Sequence, residues 1–232
     1  MSSVAKHFVA LAFIVFVYAV DFNLLVHVLT HKLTSVEFQY NIKELCVHKI
    51  PMPIEIKTPR LILKRHEPKD APDIFELVDS NRLHLRELPW VPFAQSVEDS
   101  KKYVQDSIES WAKSSLFDYS LFLKSTGERL GALGLHSISW QFLKGEMGYW
   151  MAKKYEGFGY MTEAVAQLES ISFEVGFNRL EVRCSPENTK SAAIPRRLGY
   201  SLEGVLRQNF LLNGEFRDTA LYSKLKEDRV PA

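Results

Sequence analysis

The sequence contains few cysteines, which limits the structures that it can form. Of its 232 residues only Cys46 and Cys184 are cysteines, and neither belongs to a CxxC pair. Two isolated cysteines provide neither a disulfide framework nor the ligands of a structural zinc site. We therefore expect no metal, and the composition agrees with a reducing compartment such as the cytoplasm.

The sequence also lacks an excess of charge of either sign. It has 29 Lys and Arg residues against 28 Asp and Glu residues, for a formal net charge of +1. A protein that binds nucleic acid directly usually carries a strongly basic face. The balance therefore argues against nucleic acid as the main partner. The chain shows neither an internal repeat nor a low-complexity segment.

One long apolar run is present, between residues 7 and 29 (HFVALAFIVFVYAVDFNLLVHVL). A helix of that length, at about 1.5 Å per residue, can just cross a bilayer. Lys6 and Lys32 flank the run, but Asp21 within it would cost about 2.5–3.5 kcal/mol at bilayer depth. A membrane or signal anchor through residues 8–29 is therefore one interpretation.

Two other interpretations of residues 1–51 stay open. A cleaved signal peptide is one of them, although no clear A-x-A cleavage site follows the apolar run. Alternatively, the segment is not part of the native protein, because Met52 opens a new stretch, MPIEIKTPRLILKR, that is typical of the start of a soluble domain. We therefore divide the chain into an apolar N-terminal extension, 1–51, and a catalytic domain, 52–232. The domain is expected in the cytoplasm unless the extension anchors it.

Residues 52–232 carry strand and helix patterns in a mixed order. Alternating or β-branched runs predict strands, and N-cap residues followed by apolar residues at helical spacing predict helices. Asn213-Gly214 between two apolar runs predicts a tight hairpin. Strands are predicted at 60–64, 119–124, 130–137, 146–152, 179–184, 210–212 and 215–216, and helices from Pro68, from Ser96, over 159–175 and over 188–198. This order predicts an α+β (mixed α/β) domain around a twisted, mostly antiparallel sheet.

The segment 148–164 (GYWMAKKYEGFGYMTEA) is the most informative part of the chain. A strand ends near Met151, a short loop contains Gly157 and Gly159, and a long amphipathic helix follows. Free N–H groups and the positive end of the helix dipole meet there, and such a point binds anions. From the residues alone, an ordinary strand–turn–helix is the alternative. The segment has neither the Walker A pattern nor GxGxxG.

These residues resemble the GNAT superfamily of N-acetyltransferases. Lys154, Gly157 and Gly159 take the positions of its pyrophosphate-binding signature Q/R-x-x-G-x-G/A, with Lys as a mild departure. The later stretch 186–200, PENTKSAAIPRRLGY, is similar to the RimJ/RimL-like branch, which acetylates N-termini of ribosomal proteins and related amines. The resemblance covers about residues 58–226.

The resemblance implies a GNAT-like sheet, flanked by helices, in which acetyl-coenzyme A (acetyl-CoA) lies between two splayed central parallel strands, 146–152 and 179–184. Main-chain groups of Met151 and Ala152 would contact the pantetheine arm and the thioester carbonyl. Amides from the glycine loop would hold the pyrophosphate. The residues that it assigns to the donor are Met151, Ala152, Lys154, Gly157, Phe158, Gly159, Tyr160, Met161, Thr162, Asn188 and Ser191.

Acetyl transfer needs a neutral amine, so a base must remove a proton from it. Glu146 and His136 are the candidate bases, with an ion pair and a half-buried strand residue as the respective structural alternatives. Many GNAT branches carry a tyrosine as general acid where this chain has Pro195, so Ser191 or a water molecule would take that role. Tyr200 is expected in the core.

The acceptor is less well defined by the sequence. Leu88, Pro89 and Trp90, together with Trp140 and Phe142, are candidates for an aromatic wall, with ordinary packing as the alternative. A protein N-terminus is the expected acceptor, and a small amine, such as an antibiotic or a polyamine, is the runner-up. A non-catalytic acyl-CoA-binding module is a third hypothesis, and a monomer or a homodimer is expected.

Overall fold

A computed structural model of the chain describes residues 51–228. The interpretations of residues 1–50 fall outside this range and stay predictions. Among the helices that the range contains, none is both long enough and apolar enough to cross a membrane. The elements are β1 (Glu55–Lys57), β2 (Leu61–Arg65), α1 (Ala71–Asp79), α2 (Arg82–Leu85), α3 (Val97–Ala112), β3 (Phe117–Leu123), β4 (Arg129–Ser139), β5 (Lys144–Met151), α4 (Tyr160–Val175), β6 (Arg179–Cys184), α5 (Thr189–Arg197), β7 (Ser201–Leu212) and β8 (Glu215–Leu225).

The strands form one eight-stranded sheet in the order β1-β2-β3-β4-β5-β6-β8-β7. Neighbouring strands are antiparallel except β5 and β6, which are parallel and are joined through α4. A parallel pair requires a crossover connection, usually a helix, because its second strand must start at the same end as the first. The predicted mostly antiparallel α+β sheet with one central parallel pair is confirmed.

The parallel pair separates partway along its length. β5 and β6 pair from Lys144 with Arg179 to Met147 with Val182. Beyond that point the last residues of β5, Gly148–Met151, pair with β4, and Arg183 and Cys184 pair with β8. A wedge-shaped gap therefore opens in the middle of the sheet, as the resemblance implied.

The two faces of β4 and β5 have different neighbours. Leu133, Leu135, Met147 and Met151 belong to the main core, which also contains Met161, Val165 and Leu168 of α4. Because side chains alternate along a strand, the intervening positions lie on the opposite face. There Trp150 packs against a second core of Ala71, Ile74, Val78 and Val104, from α1 and α3. The gap thus connects a face covered by α4 with a face covered by α1 and α3.

Most predicted elements occur within a few residues of their expected bounds. Two were missed because their patterns are short: β1, with three residues, and α2, with four. The hairpin around Asn213-Gly214 is confirmed, but its strands extend much further, over Ser201–Leu212 and Glu215–Leu225. Ser201–Leu212 is exposed along most of its length, so it lacks the clean polar–apolar alternation on which the prediction relied.

Candidate active site

A cleft of 2330 Å³ passes through the gap in the sheet. Its walls come from the start of α4, the start of α5, the ends of β5 and β6, and the α1–α3 side. Sites for one drug-sized ligand occupy about 300–1,000 Å³. The cleft is therefore large enough for a long ligand on one face and a second molecule on the other.

The end of β5 directs main-chain groups into the gap. Ala152 donates its N–H to the carbonyl oxygen of Leu130 at 2.8 Å, which places its amide on the β4 side. In an antiparallel ladder, successive residues direct their main-chain groups to opposite neighbours. Tyr149 and Met151 therefore direct theirs towards the gap, where no strand within residues 51–228 pairs with them. A chain lying in the gap can form strand-like hydrogen bonds with these two residues.

The glycine loop leaves open space in front of the first turn of α4. Gly157 and Gly159 have φ values of +83° and +78°, a left-handed conformation that other residues adopt at a cost. A Cβ at Gly157 would meet no atom within 4 Å, and one at Gly159 would meet only Nη2 of Arg60, at 3.6 Å. The amides of Tyr160, Met161 and Thr162 lie in the first helical turn and have no intrahelical acceptor. The loop thus fits a phosphate group that approaches the main chain.

Glu163 ties the start of α4 to the turn between β1 and β2. Its carboxylate accepts hydrogen bonds from Oγ1 of Thr58 at 2.5 Å, from the N–H of Arg60 at 2.8 Å and from Nε of Arg60 at 2.7 Å. The Arg60 guanidinium also donates to the carbonyl oxygen of Phe158 at 2.9 Å. Burial acts to raise the pKa of the Glu163 carboxyl, but these hydrogen bonds and the Arg60 charge outweigh it and hold that pKa below its usual value.

We expect Glu163→Gln to destabilise the fold at neutral pH by about 1–2 kcal/mol, since hydrogen bonds to a charged group are lost. A carboxyl with a lowered pKa in the folded state stabilises above its unfolded value, about 4.3, and this stabilisation disappears as the pH falls through the folded value. The difference between variant and wild type should therefore shrink below about pH 4. Urea unfolding at pH 7 and at pH 3.5 measures it, and a difference that does not change with pH would contradict this account.

The start of α5 forms the opposite wall of the gap. Asn188 is the N-cap residue, and its Oδ1 accepts from the N–H of Ser191 at 3.0 Å. Lys190 reaches across the cleft to Glu156, just before the glycine loop, at 2.5 Å. Asn188 therefore has a structural role as a cap in addition to any contact with a ligand. Both Asn188 and Ser191 line the cleft.

Pro195 and Tyr149 together explain the conformation of this wall. Pro195 lies inside α5 and has no N–H, so the Ser191 carbonyl lacks its usual α-helical donor. The Tyr149 hydroxyl donates to that carbonyl oxygen at 3.0 Å, and the Ser191 Oγ lies 3.4 Å from the same hydroxyl. Burial is the main cause that raises the pKa of Tyr149, so the phenol stays protonated. A tyrosine from β5 thus supplies a donor to the carbonyl that Pro195 leaves without one.

We expect Tyr149→Phe to lower the free energy of unfolding by about 1 kcal/mol, because a partly buried carbonyl loses a donor. In a Pro195→Ala background residue 195 regains an N–H, and the cost of Tyr149→Phe should fall to near zero. A double-mutant cycle by chemical denaturation measures this coupling. An equal cost of Tyr149→Phe in both backgrounds would show that the hydroxyl does not act as the missing helical donor.

The two candidate bases lie side by side on the α1–α3 face. His136 and Glu146 are Cα partners across β4 and β5, so their side chains share one face, and both line the cleft. A Cβ at Gly148 would lie 2.6 Å from Nε2 of His136, so the imidazole packs directly on the glycine. Glu146 forms an ion pair with Nε of Arg183 at 3.3 Å. Either group can meet an amine that enters from this face.

Some predicted residues do not line the cleft. Ala152 uses its N–H for Leu130 and accepts from Tyr155 at 3.0 Å. The Lys154 ammonium instead bonds Glu128 at 3.0 Å, and the Phe158 ring stacks on Tyr160. The proposed aromatic wall is partly wrong. Trp90 lines the cleft beside Trp150, but Trp140 packs against Phe117 and Phe177, and Phe142 lies outside the cleft. Tyr200 is buried, as expected.

Three residues of the site were not identified from the sequence. Arg60 contacts the glycine loop, Tyr149 supports α5, and Asp118 lies on the α1–α3 face of the cleft. A signal existed for one of them, because Pro195 inside a predicted helix indicates a carbonyl that needs another donor. The positions of Arg60 and Asp118 depend on long-range strand pairing, which no local pattern reveals.

The chain matches the model of a known family over residues 60–201, described as an acetyltransferase (GNAT) domain. It is 33% identical over 165 residues to the putative ribosomal N-acetyltransferase YdaF of Bacillus subtilis (strain 168), covering 70% of this chain and 89% of that protein. It is also 27% identical over 154 residues to the ribosomal-protein-serine acetyltransferase of Escherichia coli (strain K12), covering 66% and 85%.

Solved structures show the same fold. The microcin C7 self immunity acetyltransferase MccE, in complex with acetyl-CoA and AMP, aligns with a TM-score of 0.71 and 25% identity, covering 75% of this chain and 98% of that one. RimL, a ribosomal L7/L12 alpha-N-protein acetyltransferase in complex with coenzyme A, aligns with a TM-score of 0.70 and 26% identity, covering 75% and 96%. The first of these structures contains acetyl-CoA and the second contains coenzyme A.

Proposed function

Since the chain belongs to the GNAT family of acetyltransferases, we propose that it transfers the acetyl group of acetyl-CoA to the N-terminal amino group of a protein. The observation that carries this proposal is the gap between β5 and β6, with an open glycine loop at one side and two candidate bases on the other. Named relatives that act on ribosomal proteins support a protein as the acceptor.

The donor would lie along the gap. Its pyrophosphate fits the amides between Gly157 and Thr162, where the helix dipole and the free N–H groups favour negative charge. Its pantetheine arm fits the unpaired main-chain groups of Tyr149 and Met151, with Asn188 and Ser191 on the other side. Held in this way, the thioester would lie at the point where the cleft passes from one face of the sheet to the other.

The reaction is direct attack of a neutral amine on the thioester carbonyl. The amine nitrogen forms a bond to the carbonyl carbon, the carbon–sulfur bond breaks, and coenzyme A leaves as a thiolate that takes up a proton from water or through Ser191. Glu146 or His136 takes the proton that the amine loses. An N–H from the end of β5 stabilises the developing negative charge on the carbonyl oxygen. Positioning contributes the remainder, because both substrates are held in one cleft.

The acceptor is tested by incubating the full chain with acetyl-CoA and peptides that begin with Ser or Ala, residues named for its relatives. Thiol release and mass spectrometry report the transfer, and the same peptides acetylated at their N-termini serve as controls. Acetylation at the N-terminal amine supports the proposal. Transfer to a polyamine but to neither peptide would assign the chain to small-molecule amines instead, and binding without transfer would indicate a non-catalytic module.

A further inference from the structure

The floor of the cleft on the α1–α3 face is formed by two glycines that make room for polar side chains. Gly134 and Gly148 are Cα partners across β4 and β5, so they adjoin on one face. A Cβ at Gly134 would overlap Oδ1 of Asp118, and one at Gly148 would lie 2.6 Å from Nε2 of His136. Neither glycine has a positive φ, so the need for space explains them.

Asp118 and His136 therefore reach over adjoining positions of the floor. The Cβ positions of opposed residues in an antiparallel pair lie about 4.5–5.5 Å apart. A carboxylate and an imidazole thus extend over neighbouring points, with Glu146 next to His136 on the same face. All three side chains line the cleft. A small cationic group on this floor would meet a carboxylate at one end and the two candidate bases at the other.

The Asp118 carboxylate is held in place from behind. The Tyr103 hydroxyl donates to Oδ2 of Asp118 at 2.8 Å, while Oδ1 lies over Gly134. This phenol remains a donor at neutral pH, because the usual pKa of a tyrosine hydroxyl is about 10. His66, which is buried, packs edge-on against the Tyr103 ring with centroids 5.3 Å apart.

The nearby Arg129 forms its ion pair with Asp70 and not with Asp118. Arg129, whose charge is felt at Tyr103, donates from Nη2 to Oδ1 of Asp70 at 2.6 Å. This pair is largely buried, with 8% of the Arg129 side chain and 13% of the Asp70 side chain exposed. The positive charge of the Arg129 guanidinium is thus balanced by the Asp70 carboxylate.

We propose that Asp118 binds the protonated amino group of the acceptor, and that Tyr103 is the residue that positions it. An α-amino group has a pKa of about 7.7–8.0, so most of the acceptor arrives as an ammonium ion at neutral pH. A carboxylate inside the cleft compensates the loss of hydration of that ion. The ammonium ion then loses its proton to His136 or Glu146, which lie next to Asp118. This inference rests on the proposed function and adds to it the group that recognises the acceptor.

The test replaces Asp118 with Asn, which keeps the size of the side chain and an oxygen for Tyr103. With a hexapeptide that begins with Ser as acceptor, we expect the KM for the peptide to rise about 10- to 100-fold, the value of a hydrogen bond to a charged group. The KM for acetyl-CoA should stay unchanged, because the donor lies along the gap. Asp73→Asn removes the same charge from an exposed position in α1 that does not line the cleft, and it should leave both constants unchanged.

Two further measurements test the proposal even if the chain shows no acetyltransferase activity. Calorimetry in the presence of coenzyme A compares the free-amine hexapeptide with its N-acetylated form. The wild type should prefer the free amine and Asp118→Asn should not, even if the wild type fails to turn over and the proposed function is lost. Tyr103→Phe should weaken the preference in part. Equal or absent binding of the two peptides to the wild type, or equal effects of Asp118→Asn and Asp73→Asn, would overturn the role of Asp118.

Discussion

We expect Gly159→Glu to abolish measurable binding of acetyl-CoA while the chain stays folded. A glutamate here would place a side chain and a negative charge in the open space before the first turn of α4. That space is where the free amides and the helix dipole favour an anion. The fold should survive, because a Cβ at residue 159 meets only the flexible end of Arg60, at 3.6 Å. Calorimetry measures the donor affinity, and thermal unfolding checks the fold.

Gly214→Glu provides the matched control. Gly214 also has a positive φ, +84°, and a Cβ there meets no atom within 4 Å, but it lies in the turn between β7 and β8. Both variants carry the same left-handed backbone cost, about 1–2 kcal/mol, and the same added charge. We expect Gly214→Glu to bind acetyl-CoA as the wild type does. Unchanged affinity in Gly159→Glu, or equal losses in the two variants, would remove the loop from the donor site.

The second large effect is expected for Glu146→Gln. If Glu146 removes the proton from the amine, its neutral isostere should lower kcat about 100-fold or more, the usual contribution of a general base. The affinity for acetyl-CoA should change little, because the carboxylate lies on the face opposite α4. Steady-state kinetics and calorimetry separate the two effects. Equal losses in turnover and donor affinity would point to a structural role instead.

The ion pair with Arg183 requires its own control, because Glu146→Gln also breaks that pair. Arg183→Met breaks it from the other side and leaves the carboxylate in place. We expect Arg183→Met to retain most of the turnover that Glu146→Gln loses. His136→Asn tests the neighbouring candidate. A large loss of turnover in His136→Asn, together with a small loss in Glu146→Gln, would identify the His136 imidazole as the base instead.

Much of the fold could be predicted from the sequence because the relevant signals are local. The glycine loop and the helix that follows it lie within one stretch of chain, and the strand at 179–184 is bounded by the turns on either side. The resemblance then supplied what no local pattern gives, namely that β5 and β6 are neighbours and separate, and the structure shows that they separate beyond Met147. The site of the gap was thus predictable once the family was recognised.

The remainder depends on contacts between distant residues. The bond between Arg60 and Glu163 joins residues 103 positions apart, and the bond between Tyr149 and Ser191 joins residues 42 apart. Asp118 lies at the start of a strand that reads as ordinary, and only its pairing with Gly134 shows that it reaches over the floor of the cleft. The prediction that Trp140 lies in the acceptor wall was wrong because the sequence alone does not distinguish an exposed aromatic residue from a packed one.

The most direct test of the central claim is a calorimetric titration of acetyl-CoA into the full chain. If the donor lies between β5 and β6 with its pyrophosphate on the glycine loop, we expect saturable binding of one molecule per chain in the micromolar range, about −8 kcal/mol at 1 μM. Gly159→Glu measured in parallel should give no heat of binding. Two results would contradict the placement of the donor in this gap. One is a folded wild-type chain that does not bind acetyl-CoA, and the other is a Gly159→Glu variant that binds it as well as the wild type does.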